Sequence, residues 1–211
     1  MGATETQGYP VPPPQHHLEA AAAKALEALA SQSDEELGWL GAEPAGDVCR
    51  VKVLAEVLTV DRPSGRVTAA SGAEVSAPWR VLVLHYLCVS GRPEAGPPEV
   101  TFADMPGATA YAGVYRGRVN ARLCATAGRD EASLRAGAEA LGGREVEGGD
   151  AAFDFQVFPR IRVRLAWYAA DEEFSPSATL LLPTNVEAYF CIEDIVVLSE
   201  RLVSRLSGKP L

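Results

Sequence analysis

Between Ala151 and Pro183 the hydrophobic period becomes that of extended chain, in three runs reading AAFDFQVF, IRVRLAWYA and SATLLLP. Alternating apolar and polar residues put successive side chains on opposite faces of a strand. Only Pro159 and Arg160 separate the first two runs. A connection that short joins antiparallel neighbours, because a parallel pair needs a crossover of a dozen residues or more. A three-stranded antiparallel meander is therefore the fixed point against which everything else must pack.

The run after it, Ile192 to Leu206, returns to helical spacing, with Ile192, Ile195, Val196, Leu202, Val203 and Leu206 on one face. Glu193 and Asp194 at its start and Arg201 and Arg205 near its end complement the helix dipole. Upstream, WRVLVLHYLCVSG follows Pro78 and is apolar on nearly every side, which predicts a buried helix ending at Gly91. Thr109–Ala125 and Asp130–Leu141 read as two further helices, with Asp130 a good N-cap and Gly142 a good stop. Residues 91–107, rich in proline and glycine, read as a long irregular loop.

At the other end, alanine and leucine dominate from Leu18 to about Leu40 and predict one N-terminal helix within residues 17–44. VCRVKVLAEVLTVD, Val48 to Asp61, reads as a strand, and the RPSG turn returns it toward Arg66–Ala70 as a hairpin. Residues 1–16, MGATETQGYPVPPPQH, read as a disordered tail. Met1-Gly2 with Thr6 formally fits a myristoylation pattern, but nothing nearby supplies a second anchor. With strands at both ends, helices between and no βαβ alternation, the expected class is α+β. One domain over residues 47–207 would combine an N-terminal hairpin and the C-terminal meander in antiparallel sheet packed with helices.

The bulk properties narrow the function classes. The chain has 211 residues and a net charge of −9, which repels phosphate backbones and anionic lipid, so neither nucleic acid nor membrane is an expected partner. No apolar run reaches the roughly 18 residues a spanning helix needs. Cys49, Cys88, Cys124 and Cys191 are widely spaced, without a C-x-x-C pair, and read as buried thiols of a reducing, cytoplasmic compartment.

Several groups could carry chemistry. Asp171, Glu172 and Glu173 stand in tandem between two apolar runs, either as a cation or acid–base cluster or as the wet tip of a hairpin. In extended chain only Asp171 and Glu173 face the same way. His85, alone within VLVLHYLCV, could be a base, a ligand or a satisfied core histidine. The folded region has no second histidine for a multi-histidine metal site, so no metal is expected. Arg160, Arg162 and Arg164 alternate with apolar residues and would line one strand face, as an anion grip or as a solvated surface. LGGREVEGGD fits neither the Walker nor the dinucleotide spacing and reads as a helix stop and a turn.

Taken in order, a set of segments resembles a known family: VLHYL with Gly91 and Pro93, FADMPG with Tyr111 and Arg116, LGG with Gly149-Asp150, FPRIRVRLAWYAADEEFSPSATLLL, and IEDI. They are similar to the family called domain of unknown function 3786, found largely in anaerobic bacteria and archaea, over roughly residues 47 to 206. The resemblance carries no assigned activity. It implies a link to anaerobic one-carbon or corrinoid metabolism, because some relatives bear an N-terminal iron–sulfur cluster motif. This chain has no cysteine before Cys49, so any such cluster would sit on another protein.

On that pattern the leading expectation is a cytoplasmic accessory or ligand-binding protein. Its pocket would be formed by the acidic loop, the loop near Asp104 and the helix carrying His85. Asp104, Tyr111, Arg116, Asp150, Arg160, Asp171 and Glu173 are the expected ligand-binding residues, for a small molecule or cofactor whose identity the sequence leaves open. One alternative is an enzyme using Asp171 or Glu173 as base or metal ligand with His85 as acid or orienter. Another is a pocketless module that docks a redox or methyl-transfer protein through Phe174.

Overall fold

The computed structural model describes residues 14–211, with side chains from Leu18 onward. Most of the expected tail, including the myristoylation pattern, lies outside these residues, as do the side chains of His16 and His17. Helix α1 runs Pro14–Leu29, so residues 14–16 of the expected tail are helical.

The architecture is α+β, with two antiparallel sheets and helices packed on them. The first is a four-stranded meander of β1 (Glu43–Ala45), β2 (Val48–Val53), β3 (Glu56–Asp61) and β4 (Arg66–Thr68). The second has five strands: β5 (Pro98–Thr101), β6 (Arg144–Val146), β7 (Ala151–Phe158), β8 (Ile161–Tyr168) and β9 (Ser177–Pro183). Its order is β5-β9-β8-β7-β6, so the expected meander forms the centre and two short strands close its edges.

Four expectations are corrected by this arrangement. The single N-terminal helix is two, because Ser33 ends the connection with a capping box to Glu36 and starts α2 (Asp34–Trp39) afresh. Gln32 between them donates to the carbonyls of Leu87 and Val89 at 2.9 and 3.0 Å, which draws the end of α1 onto the helix Ala77–Leu87. The run Val48–Asp61 is two strands, folded back at Leu54-Ala55. The loop 91–107 contains β5 and a 3₁₀ turn, Phe102–Asp104, and the glycine-rich stretch after Leu141 contains β6.

The fold at Leu54 is enforced from outside the hairpin. Leu54 has φ +54°, a conformation costly for a side-chain-bearing residue, yet its side chain is buried. Its N–H donates at 3.1 Å to the carbonyl of Val157, where β7 slips register between Gln156 and Phe158. A bulge frees a carbonyl from the ladder, and here the tip of the other sheet takes it up.

The helices fall as the apolar spacing requires. α3 (Ala77–Leu87) is almost wholly buried, with proline in its first turn. The segment after Gly107 is helical but irregular, passing from 3₁₀ (Ala108–Tyr111) through α4 (Ala112–Tyr115) and a π-helical turn (Arg116–Ala121) to α5 (Arg122–Ala125). α6 (Glu131–Ala140) is capped by Asp130, and α7 (Ile192–Leu206) buries the expected stripe. Inward residues of the second sheet, such as Phe155, Val163, Leu165 and Leu180, share one core with Leu82 of α3 and Leu202 of α7.

Candidate functional site

The chemistry-bearing side chains meet where α3 and the first turn of α7 pass under α1. His85 Nδ1–H donates to Asp194 Oδ2 at 2.8 Å, joining residues 109 positions apart. On the α1 side, the backbone carbonyl of Ala21 adds to the rise of the His85 pKa. Cys88, one turn beyond His85, donates from Sγ to the Ala25 carbonyl at 3.0 Å. Cys191 is the N-cap of α7, one turn before Asp194. Ala21, Lys24, Ala25, Ala28, Val89 and Tyr189 complete a groove of about 480 Å³. That lies within the roughly 300–1,000 Å³ of small-molecule sites.

Electrostatics set the protonation of each group. The hydrogen bond to Asp194 raises the pKa of His85 above the ordinary imidazole value, outweighing burial and the repulsion of Lys24. The bond to Asp194 commits the Nδ1 edge to donating and favours the charged ring. Burial pushes the Cys88 thiol up to about 11 and also raises that of Cys191. Both sulfurs are therefore protonated at neutral pH, whereas nucleophilic cysteines need depressed values. All four cysteines are free; of the expected buried thiols only Cys49 is buried, Cys88 and Cys124 are half-buried, and Cys191 is exposed because it caps a helix at the protein surface.

The start of α7 gathers further expected residues. Tyr111 donates its hydroxyl proton to Glu193 at 2.9 Å, which brings the loop after FADMPG beside Cys191 and Asp194. Asp104 has a local task, its carboxylate accepting from the N–H and hydroxyl of Thr101 at 3.3 and 2.6 Å to cap the 3₁₀ turn. Arg116 lies on the π-helical turn and lines a separate cavity of about 220 Å³ with Thr101, Asn120 and Thr179.

The acidic loop sits elsewhere. Asp171 Oδ1 accepts the N–H groups of Glu173 and Phe174 at 2.8 and 2.7 Å, and its own N–H donates to the Phe174 carbonyl. These bonds hold its carboxyl below the usual range and commit it to shaping the β8–β9 turn. Glu172 and Glu173 are exposed, and Phe174 is 68% exposed. Asp150 makes a separate bond just before that loop, accepting from Ala169 N–H at 2.8 Å. None of these residues lines the groove at His85, so the single pocket expected from the sequence is not assembled. Among the described residues no three His, Cys, Asp or Glu side chains are placed to share a metal ion.

The arginine stripe also divides. Arg160 occupies the β7–β8 turn, at the end of β8 opposite the acidic loop. It stacks on Trp39 at 3.9 Å and donates to the Trp39 carbonyl at 2.8 Å. Arg164 and Arg162 do share the strand face, where they surround Asp154 together with Arg144. Burial would raise the Asp154 pKa, but the three guanidiniums outweigh it and hold the carboxyl below its ordinary value.

Sequence reasoning reached His85, Tyr111 and IEDI but missed Asp194, Cys88 and Cys191 as His85's company. Two signals were available: Cys88 lies three residues after His85 and Asp194 three after Cys191, a spacing that puts each pair on one helix face. No curated protein and no solved structure matches the chain. A family model described as Domain of unknown function (DUF3786) matches residues 37–205. That span holds every segment on which the resemblance rested, and the chain belongs to this family.

Proposed function

We propose that the protein is a cytoplasmic accessory protein that binds a small molecule without transforming it, in the groove between α1, α3 and the start of α7. The observation that carries this reading is the state of the groups lining the groove. A histidine already tied to a carboxylate and two thiols raised above their ordinary value can orient a ligand, and neither thiol is poised as a thiolate. Apart from Lys24 the remaining walls are alanine, valine and tyrosine, which suits a ligand with an apolar or soft face. The link to anaerobic one-carbon or corrinoid metabolism is what the family resemblance implies, and it sets which metabolites to try first.

The test is native mass spectrometry of protein purified without oxygen, beside the variants Asp194→Asn and Ala28→Trp. A bound mass in the parent protein, lost when Ala28→Trp fills the groove, is the expected result. A ligand-free parent with no thermal shift across a panel of anaerobic metabolites would overturn it, as would turnover of any of them. A second reading draws on the exposed ring of Phe174, which suits docking of a redox or methyl-transfer protein. Under it, Phe174→Ala weakens complex formation and leaves ligand binding intact.

A further inference from the structure

On the other side of α1, α7 carries a buried carboxylate with more cationic partners than it can neutralise. The Glu200 side chain is only 10% exposed and pairs with Arg118 of the π-helical turn, Arg122 at 3.3 Å and Arg201 at 3.1 Å. With Glu193 beside them, three guanidiniums face two carboxylates, an excess of one positive charge in a protein whose net charge is −9. The Nε of Arg201 is buried and has no hydrogen-bond partner among the described residues. Buried donors are nearly always paired, so an unpaired one beside a groove marks a place for an acceptor.

The groove is there. Arg118 and Arg201 line a depression of about 590 Å³ whose apolar floor is Leu18, Pro78 and Val197. Glu193 on its rim is engaged by the Tyr111 hydroxyl. The comparable cluster on the second sheet, Arg144, Arg162 and Arg164 around Asp154, also leaves one Nε unpaired, that of Arg162, but contributes no residue to this depression and so serves as an internal control.

We propose that this depression is a second binding site, for a small amphipathic oxyanion. Its carboxylate or phosphate head would lie on the guanidiniums of Arg118 and Arg201, and its apolar body would cover Leu18, Pro78 and Val197. Planar guanidinium forks match either head group, and Pro78 and Val197 present apolar surface from two helices to one chain. The site is independent of the groove at His85, since the two share no lining residue.

The experiment is isothermal titration of the full chain with sodium hexanoate and with hexyl phosphate, using hexylammonium and inorganic phosphate as controls. Binding of at least one amphipathic anion is expected, stronger than inorganic phosphate and weakened by added salt. The hexyl anion that binds identifies the head group. Arg118→Gln should weaken it about tenfold, and Leu18→Asp likewise without touching an arginine, while Arg144→Gln should change nothing. The melting temperature of each ligand-free variant separates lost binding from lost folding. No binding of either anion to the parent protein, equal binding of hexylammonium, or a response to Arg144→Gln as large as to Arg118→Gln would overturn the proposal.

Discussion

His85 is a protonation-dependent tie between α3 and α7. Its folded-state pKa lies above the unfolded value of about 6.5, chiefly through the bond to Asp194 and despite burial and Lys24. The stabilisation is therefore fully present below the unfolded value and is lost as pH rises through the folded one. We expect the melting temperature of the parent protein to fall relative to that of His85→Asn as pH rises from about 6 to 9. A difference between the two proteins that does not change over this range would show that the ring is neutral in the fold. The partner of His85 could not be read from sequence, because Asp194 is 109 residues away. Asp171 was more legible. A carboxylate followed by backbone N–H groups two and three residues on is a local arrangement that short polar side chains favour in turns.

Among the elements, the connection from β6 to β7 shows how tightly neighbouring segments specify each other. Gly149 has φ +56°, and a Cβ there would stand 2.4 Å from the Trp167 carbonyl oxygen of β8. Its neighbour Asp150 donates its N–H to that same carbonyl. Gly149→Ala should cost on the order of 2–3 kcal/mol in urea unfolding, from the positive φ and the backbone clash together. A loss below about 0.5 kcal/mol, the scale of an ordinary surface change, would show that the turn relaxes freely. The central strands were legible because eight-residue alternation is a long signal. β5 and β6 were not, since they have four and three residues and exist by pairing with β9 and β7. Likewise the fold-back at Leu54 contradicts local preference, and only the carbonyl of Val157 explains it.

For the whole molecule, that carbonyl joins the two sheets into one body. The Leu54 amide sits at a hairpin tip, where exchange with solvent is normally fast, yet it is engaged by the other sheet. Hydrogen exchange should find it protected to the same degree as the centre of β7. Exchange at the rate of an open turn would mean that the first sheet opens separately. Leu54→Gly should relieve backbone strain of about 1 kcal/mol but lose a buried leucine worth about 2–5, a net destabilisation. The seating of α1 has a different consequence. This helix lies ahead of residue 37, where the family match begins, and Cys88 holds it through the main-chain carbonyl of Ala25. Carbonyls are common to all residues, so the grip depends on how closely the helix approaches and not on which side chains it carries outward. Under mutational drift its solvent-facing positions are free to change, while the buried Ala22 and Ala25 tolerate only residues small enough to preserve that approach.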